Sequence, residues 1–385
     1  MKTHDLAEFV SPGHPDRLAD GIADAIVERA TRPPQRFSTT SRSLAGIEVA
    51  VHDATVFIDG RIARDTGPDF GGPRGVEFER AVHTVYNAAG YGSLWGPDPD
   101  DLEIIVRVCE EVLSPEENSI RPFSDDQNVV HGYAINREAT NHLPTAHWLA
   151  HQIGWGVWQI RSERPESFGP DFKVFVDVTD DGQTLEWRRL ILSLQHAEGI
   201  SMEEQHRTLL PLLGDLLAEF EGRGLTGVAS NFRPAHLILN GAGEFVTGGP
   251  RGDNGLSGKK LVVDHYGPSV PIGGGAMVGK DPWKVDRCGA LRARQLAKRL
   301  VSTAHHEARV TLGWAPGESI PSLRDAFVRP APGQDWQELS PKQLPQPEWF
   351  AIETIVRDLE LIGHDWRRNT VTGTFIDPKS PWERP

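Results

Sequence analysis

Two lysines stand where electrostatics argues against them. In GGGAMVGKDPWKVDRCGAL (Gly273–Leu291) a glycine-rich loop feeds a helix. There Asp281 is the natural N-cap and Pro282 the first helical residue. Lys280 and Lys284 then crowd the positive end of the helix dipole and repel each other. A second dense patch, SPGHPDRLADGIAD (Ser11–Asp24), puts His14 and Asp16 at the mouth of another helix. Asp16, Asp20 and Asp24 stack along it at i, i+4 and i+8, which for Asp20 and Asp24 reads as an acidic, solvent-facing stripe. Asp16, directly after His-Pro at a loop-to-helix junction, is better placed for Mg²⁺. The third patch, GGPRGDNGLSGKKLVVDHYG (Gly248–Gly267), surrounds Asp253 with glycines and then presents Lys259 and Lys260. It is not a Walker loop and lacks the strand–glycine–helix order of a dinucleotide site. Alone it reads equally well as a hairpin with edge lysines. Together the three patches supply His14 and four lysines as positive or proton-bearing groups, with Asp16 and Asp286 as metal ligands. That inventory suits a polyphosphate with Mg²⁺.

The elements that must position these residues follow from periodicity. Residues 15–30 form an amphipathic helix with Leu18, Ile22 and Ile26 on one face. Further helices are expected at 75–89, 140–160, 203–220 and 282–304. Strands are expected at 47–60, 102–110, 172–178, 185–196, 236–241, 260–266 and 308–314. They interleave in three successive groups, which predicts an α+β fold of three similar units. The breaks fall near the Pro-rich 114–125 segment and the Gly-rich 241–258 segment. With 385 residues the chain is long enough for two or three domain-sized cores. Its net charge of −14 disfavours nucleic acid or an anionic membrane as the main partner. No apolar run approaches the length of a membrane span, and the first residues lack the pattern of a secretory signal. Cys109 and Cys288 cannot build a disulfide framework and lack zinc-ligand spacing. The expected setting is a reducing cytoplasm.

GHPDRLAD, GGPRGDNGLSGKKLVVDHYG and GGGAMVGKDPWKVDR, in this order and spacing, resemble three signature segments of the S-adenosylmethionine synthetase (methionine adenosyltransferase) family. Weaker similarity includes GPDFK (169–173), LSLQH (192–196), APGESIPS (315–322) and SPWE (380–383). The resemblance implies three similar α+β domains around a pseudo-threefold axis, here 1–115, 124–246 and 247–385. It implies a homodimer with active sites between subunits, often paired into a tetramer. It also implies a reaction in which the sulfur of L-methionine attacks C5′ of ATP and expels the triphosphate, which is then cleaved to pyrophosphate and phosphate. Residue by residue, His14 would stabilise the departing oxygen, and Asp16 and Asp286 would bind Mg²⁺. Lys173, Lys260 and Lys280 would contact the triphosphate. Lys259 stands where the family usually has arginine, which keeps the charge and loses the bidentate fork. Phe245 resembles the aromatic that stacks on adenine, although a strand aromatic in a core is the plain alternative. Asp126, Asp171, Asp253 and Lys284 match positions that contact ribose, adenine or the amino acid.

Four departures from the family pattern cluster on the amino-acid side and the lid. Thr40 stands at the family's potassium-binding glutamate, and a neutral hydroxyl is a poor substitute, so dependence on K⁺ is in question. Asp53 falls near the glutamate that grips the substrate ammonium, one methylene shorter. Leu113 replaces a glutamine that contacts the amino acid. The mobile lid is shortened and ends in FSDDQN, without the glycines that permit motion. The resemblance therefore implies S-adenosylmethionine synthesis. The alternatives are the same transfer to a methionine analogue or other sulfur nucleophile, a silent nucleotide-binding paralogue, and a plain triphosphatase.

Overall fold

The structure is a computed structural model that describes residues 3–31, 42–64 and 74–384. Thr40 lies outside the described residues. In chain order the elements are β1 (Thr3–Val10), α1 (Pro15–Thr31), β2 (Leu44–His52), β3 (Thr55–Arg64), α2 (Arg74–Ala89), β4 (Glu103–Val112), α3 (Pro115–Ile120), β5 (Asn128–Ile135) and α4 (Thr145–Glu163). There follow β6 (Phe168–Asp180), β7 (Leu185–His196), α5 (Met202–Gly222), β8 (Leu237–Leu239), β9 (Gly255–Leu256), α6 (Leu261–Asp264) and α7 (Val285–Thr303). The chain closes with β10 (Glu307–Trp314), β11 (Leu323–Arg329), β12 (Gln337–Glu338), α8 (Ile352–Asp358) and α9 (Trp366–Thr372).

One plan recurs three times. The sheets run β1-β6-β7-β8, β12-β11-β10-β5 and β4-β3-β2-β9. Helices α4 and α5 serve the first, α7 and α8 the second, and α1 and α2 the third. This is the three-unit α+β architecture that the interleaved pattern predicts. Each sheet also takes one strand from a distant part of the chain: β1 pairs β6, β5 pairs β10, and β9 pairs β2. These long-range pairings carry the site, because β1 leads directly into the His14 loop and β9 is cut from the glycine-rich third patch.

Helix α1 is buried nearly all round. Leu18, Ala19, Ile22, Ala23, Ile26 and Val27 belong to one core with β2, β3 and α2, and Asp20 and Asp24 are buried as well. The solvent-facing acidic stripe is thus corrected: α1 has apolar residues on several faces and lies inside the molecule.

Four further expectations change. The stretch 47–60 is not one strand but the hairpin of β2 and β3, turning at Asp53 and Ala54. Residues 260–266 do not form a strand; Leu261–Asp264 make a short helix, with Val263, Asp264, His265 and Tyr266 buried against neighbouring units. The helix expected from Pro282 starts at Val285, because the Asp281 carboxylate accepts the Trp283 N–H at 2.8 Å and closes a turn first. Phe245 is not on a strand but in the loop after β8. Strands β1, β5 and β11, absent from the sequence reading, complete the sheets.

Candidate active site

The His14 loop is fixed by the strand beside it. Pairing of β1 with β6 ends at Val10 opposite Lys173. Ser11 then donates its N–H to the Phe172 carbonyl at 3.0 Å and its hydroxyl to the Pro170 carbonyl at 2.8 Å. A Cβ on Gly13 would lie 2.4 Å from that same Pro170 oxygen, so only glycine lets the loop pass this close to β6.

His14 is 2% exposed, and its Nδ1 accepts the Asp16 N–H at 3.1 Å. The proton of the neutral ring is therefore on Nε2, which is left as a donor. Burial, reinforced by Lys173 and Lys260 against the opposing pull of Asp16, pushes its pKa down to about 3. The imidazole is neutral at pH 7 and acts as a hydrogen-bond donor.

Asp16 is equally buried. Its Oδ1 accepts the Leu256 N–H of β9 at 2.9 Å, and Oδ2 sits 2.7 Å from Lys260 Nζ; Lys259 Nζ is 3.8 Å away. Burial pushes this carboxyl up, but Lys260 and the Leu256 amide outweigh it and hold it below the usual range. Asp171 accepts the Gly249 N–H at 2.8 Å and is raised by burial to about 6, against the pull of that amide and of Lys173. The loop bearing Phe245 is clamped by His196, whose N–H meets the Phe245 carbonyl at 3.0 Å and whose Nε2 accepts the Phe245 N–H at 3.1 Å. Phe245 itself is half-buried, and Asp253 is exposed in the turn that follows. Asp53 is exposed at the β2–β3 turn, with φ 47°, and its N–H reaches the Pro250 carbonyl at 2.7 Å. The structure thus brings His14, Asp16, Asp53, Asp171, Lys173, Phe245, Asp253, Lys259 and Lys260 into one neighbourhood.

A second group surrounds the start of α7. Lys280 Nζ is 2.6 Å from Asp286, and Lys284, the N-cap residue, pairs with Asp125. The two lysines therefore tolerate the positive helix end because each has a carboxylate opposite it, even without a bound anion. Asp125, not Asp126, faces Lys284; the Asp126 carboxylate accepts its neighbour's N–H from Gln127 at 2.7 Å and is exposed. Leu113 is buried at the end of β4. The lid segment contains α3, with a full capping box from Ser114 and Glu117, and Arg121 ties it to Asp281. A capped, ion-paired helix thus stands where the family resemblance implies a flexible closing loop.

The two groups are held apart by α1. Arg17 joins Asp20 to Asp264, and Asp20 accepts the Gly258 N–H at 2.8 Å. Burial raises Asp20 to about 8. One turn further, Asp24 accepts the Gly279 N–H at 2.9 Å, pairs with Arg287, and takes the Thr370 hydroxyl at 2.6 Å. Asp16 and Asp24 are eight residues apart, about 12 Å along the helix. So α1 anchors the lysine loop of the first group and that of the second at successive turns. Sequence reasoning missed this scaffold, and it missed Asp125. The signal for the scaffold was present: apolar residues all round α1 leave Asp20 and Asp24 no solvent face.

Chemically, the first group offers a neutral imidazole donor, three lysines and a cationically stabilised carboxylate, and the second offers two lysines and Asp286. Both suit a phosphate-bearing anion. Among the described residues no three His, Cys, Asp or Glu side chains converge as a metal cage. Fold and site together define a three-unit α+β protein whose glycine-rich loops present phosphate-binding groups from two places.

Comparison with known proteins agrees. Residues 123–218 match the family model for the S-adenosylmethionine synthetase central domain, and residues 247–384 match that for its C-terminal domain. The S-adenosylmethionine synthase of Deinococcus deserti is 30% identical over 415 residues, covering 100% of this chain and 97% of the relative. That of Thermus thermophilus is 29% identical over 399 residues, with 98% and 94% coverage. A solved structure described as an unusual S-adenosylmethionine synthetase from Campylobacter jejuni superposes with a TM-score of 0.80 at 23% identity, over 99% of this chain and 97% of that one. The chain belongs to the S-adenosylmethionine synthetase family. No helix among the described residues is long and apolar enough to cross a membrane.

Proposed function

We propose that this protein joins ATP and L-methionine into S-adenosylmethionine. The methionine sulfur forms a bond to C5′ of ATP as the C5′–O bond breaks, leaving a sulfonium product and triphosphate. The triphosphate is then hydrolysed to pyrophosphate and phosphate. The observation that carries this reading is His14: a buried, neutral imidazole with Nε2–H free to donate, beside Lys173, Lys260 and Asp16. A donor of this kind stabilises an oxygen that gains charge as its bond to carbon breaks, and lysines fixed nearby do the same for the phosphates behind it. Phe245 offers its ring to adenine, and Asp171 and Asp253 border the ribose and adenine side. On the amino-acid side stand Asp53, Leu113 and Asp126, and Lys284, paired with Asp125, faces the triphosphate.

Asp16 and Asp286 are the residues that would hold Mg²⁺. Two separate carboxylates, each now neutralised by a lysine, fit an ion that takes one or two carboxylates and completes its shell with phosphate oxygens and water. When bound, it supplies neutralisation of the leaving group's charge. Because α1 spaces the two lysine groups along its length, we read the complete site as composite, with the His14 group from one subunit and the Lys280 group from its partner in a homodimer.

A second reading keeps the chemistry and changes the nucleophile. It is favoured by Leu113, a buried apolar side chain where an amide would hold the amino acid. Mass spectrometry of purified protein with ATP and Mg²⁺, with and without L-methionine and without added K⁺, separates the readings. S-adenosylmethionine with pyrophosphate and phosphate supports the first. Product only with a methionine analogue supports the second, and cleavage of ATP to free phosphates with no adenosyl product from any sulfur compound overturns both.

A further inference from the structure

We propose that Tyr91, outside every motif singled out in the sequence, is a positioning residue for His14. The inference rests on the reading that His14 meets the departing oxygen of ATP. Tyr91 follows Gly90, which ends α2 with φ 87°, and its own N–H returns to the Tyr86 carbonyl at 3.0 Å. This turn aims the phenol inward, where it is 4% exposed and packs on the Tyr86 ring with centroids 5.5 Å apart. The hydroxyl donates to the carbonyl of Gly13, the residue before His14, at 2.5 Å.

The same hydroxyl touches the other glycine loop. Gly249 has φ 63°, and a Cβ built there would lie 2.0 Å from the Tyr91 oxygen. The Gly249 N–H is the one that binds Asp171. A single buried O–H therefore sits between the loop that carries His14 and the loop that carries Phe245 and Asp253. Pro170 closes on the position a Cβ of Gly13 would take, 2.4 Å from the Pro170 carbonyl oxygen. Burial, with Asp171 and Tyr86 adding to it, pushes the phenol well above its ordinary range, so it stays a donor. Without this bond the Gly13 carbonyl loses its link to the rest of the molecule. The loop keeps its contacts with β6 and the His14 N–H bond to the Ser11 carbonyl at 3.0 Å. The direction of His14 Nε2–H is then no longer set relative to the nucleotide loop.

The test is Tyr91→Phe, which keeps the ring and removes only the hydroxyl. Two activities are read on the same sample: adenosyl transfer from ATP to methionine, and hydrolysis of added inorganic tripolyphosphate, which has no C5′–O bond for His14 to serve. Transfer should fall about tenfold or more in kcat, the scale of a misdirected catalytic group. KM for ATP should stay within about twofold, since the loss lies in transition-state stabilisation. Tripolyphosphate hydrolysis should stay unchanged. The ratio of the two is independent of how much protein folds. In a His14→Asn background, Tyr91→Phe should lower transfer no further. Equal loss of both activities, or the same fold-loss with and without His14, overturns the positioning role alone. Absence of transfer in the unmodified protein overturns the proposed function and this role with it.

Discussion

Replacement of Lys280 by Met separates a role in phosphate chemistry from a role in folding. In the structure Lys280 Nζ lies 2.6 Å from Asp286, with side chains 30% and 12% exposed. A pair this open to water contributes at most about 1 kcal/mol. Asp286 is not stranded by the substitution, because it sits in the first turn of α7, where the helix dipole favours an anion. Removing 1 kcal/mol from a chain of 385 residues lowers the melting temperature by about 2 °C. Loss of a preorganised cation facing the leaving triphosphate costs far more in rate, on the order of 10²–10³ in kcat. The assay is product formation followed by mass spectrometry at saturating ATP and methionine, with thermal unfolding on the same preparation. The expected result is a collapse in turnover with a nearly unchanged melting temperature. Wild-type turnover by the folded fraction of Lys280→Met, or a fall of ten degrees or more in melting temperature, refutes the reasoning.

Three other outcomes follow from the same geometry. Co-expression of His14→Asn and Lys280→Met chains should restore about a quarter of wild-type activity, because half of the randomly paired dimers carry one intact composite site; no recovery places both residues in one chain's site. Asp24→Asn should destabilise the fold by about 3 kcal/mol in urea titration, since it strands Arg287 in the interior; an unchanged midpoint contradicts the scaffold role of α1. His151, fully buried beside His147 and Arg17, has its pKa lowered by burial to about 3, well under its unfolded value of 6.5. Below pH 6.5 the unfolded chain takes the proton first, so stability from this group is present above that pH. It is lost as pH falls toward 3, by roughly 1.4 kcal/mol per unit. Urea titrations from pH 7 to 5 on the protein and on His151→Gln should show the shallower pH dependence in the variant.

Much of the fold was legible because its longer elements carry their own period. Strand β7 occupies the residues 185–196 expected of it, and α1, α2 and α5 lie where spacing puts them, to within a few residues. The failures share a cause. KLVVDHY has the composition of a strand, but Val263, Asp264 and Tyr266 are drawn into the interior against different neighbours while Val262 stays exposed, and tertiary packing overrides local propensity. Strand β1 is equally hidden: THDLAEFV alternates weakly, and its partner β6 lies over 150 residues away. The Asp125–Lys284 pair went unread because the sequence has no means of saying which of two adjacent carboxylates turns toward a distant lysine.

The sequence by itself determined the inventory: which residues can carry positive charge, bind a divalent cation or let a backbone approach a phosphate. Motif order and spacing tied that inventory to a family. Only the tertiary structure decided protonation and grouping. His14 is neutral because it is buried beside Lys173 and Lys260, residues more than 150 positions away. Asp20 and Asp24 are scaffold rather than surface because α1 runs through the interior, and their partners Arg17, Asp264, Gly279 and Arg287 come from both ends of the chain. Solvation and long-range contact set these properties, and neither is a local property of the chain.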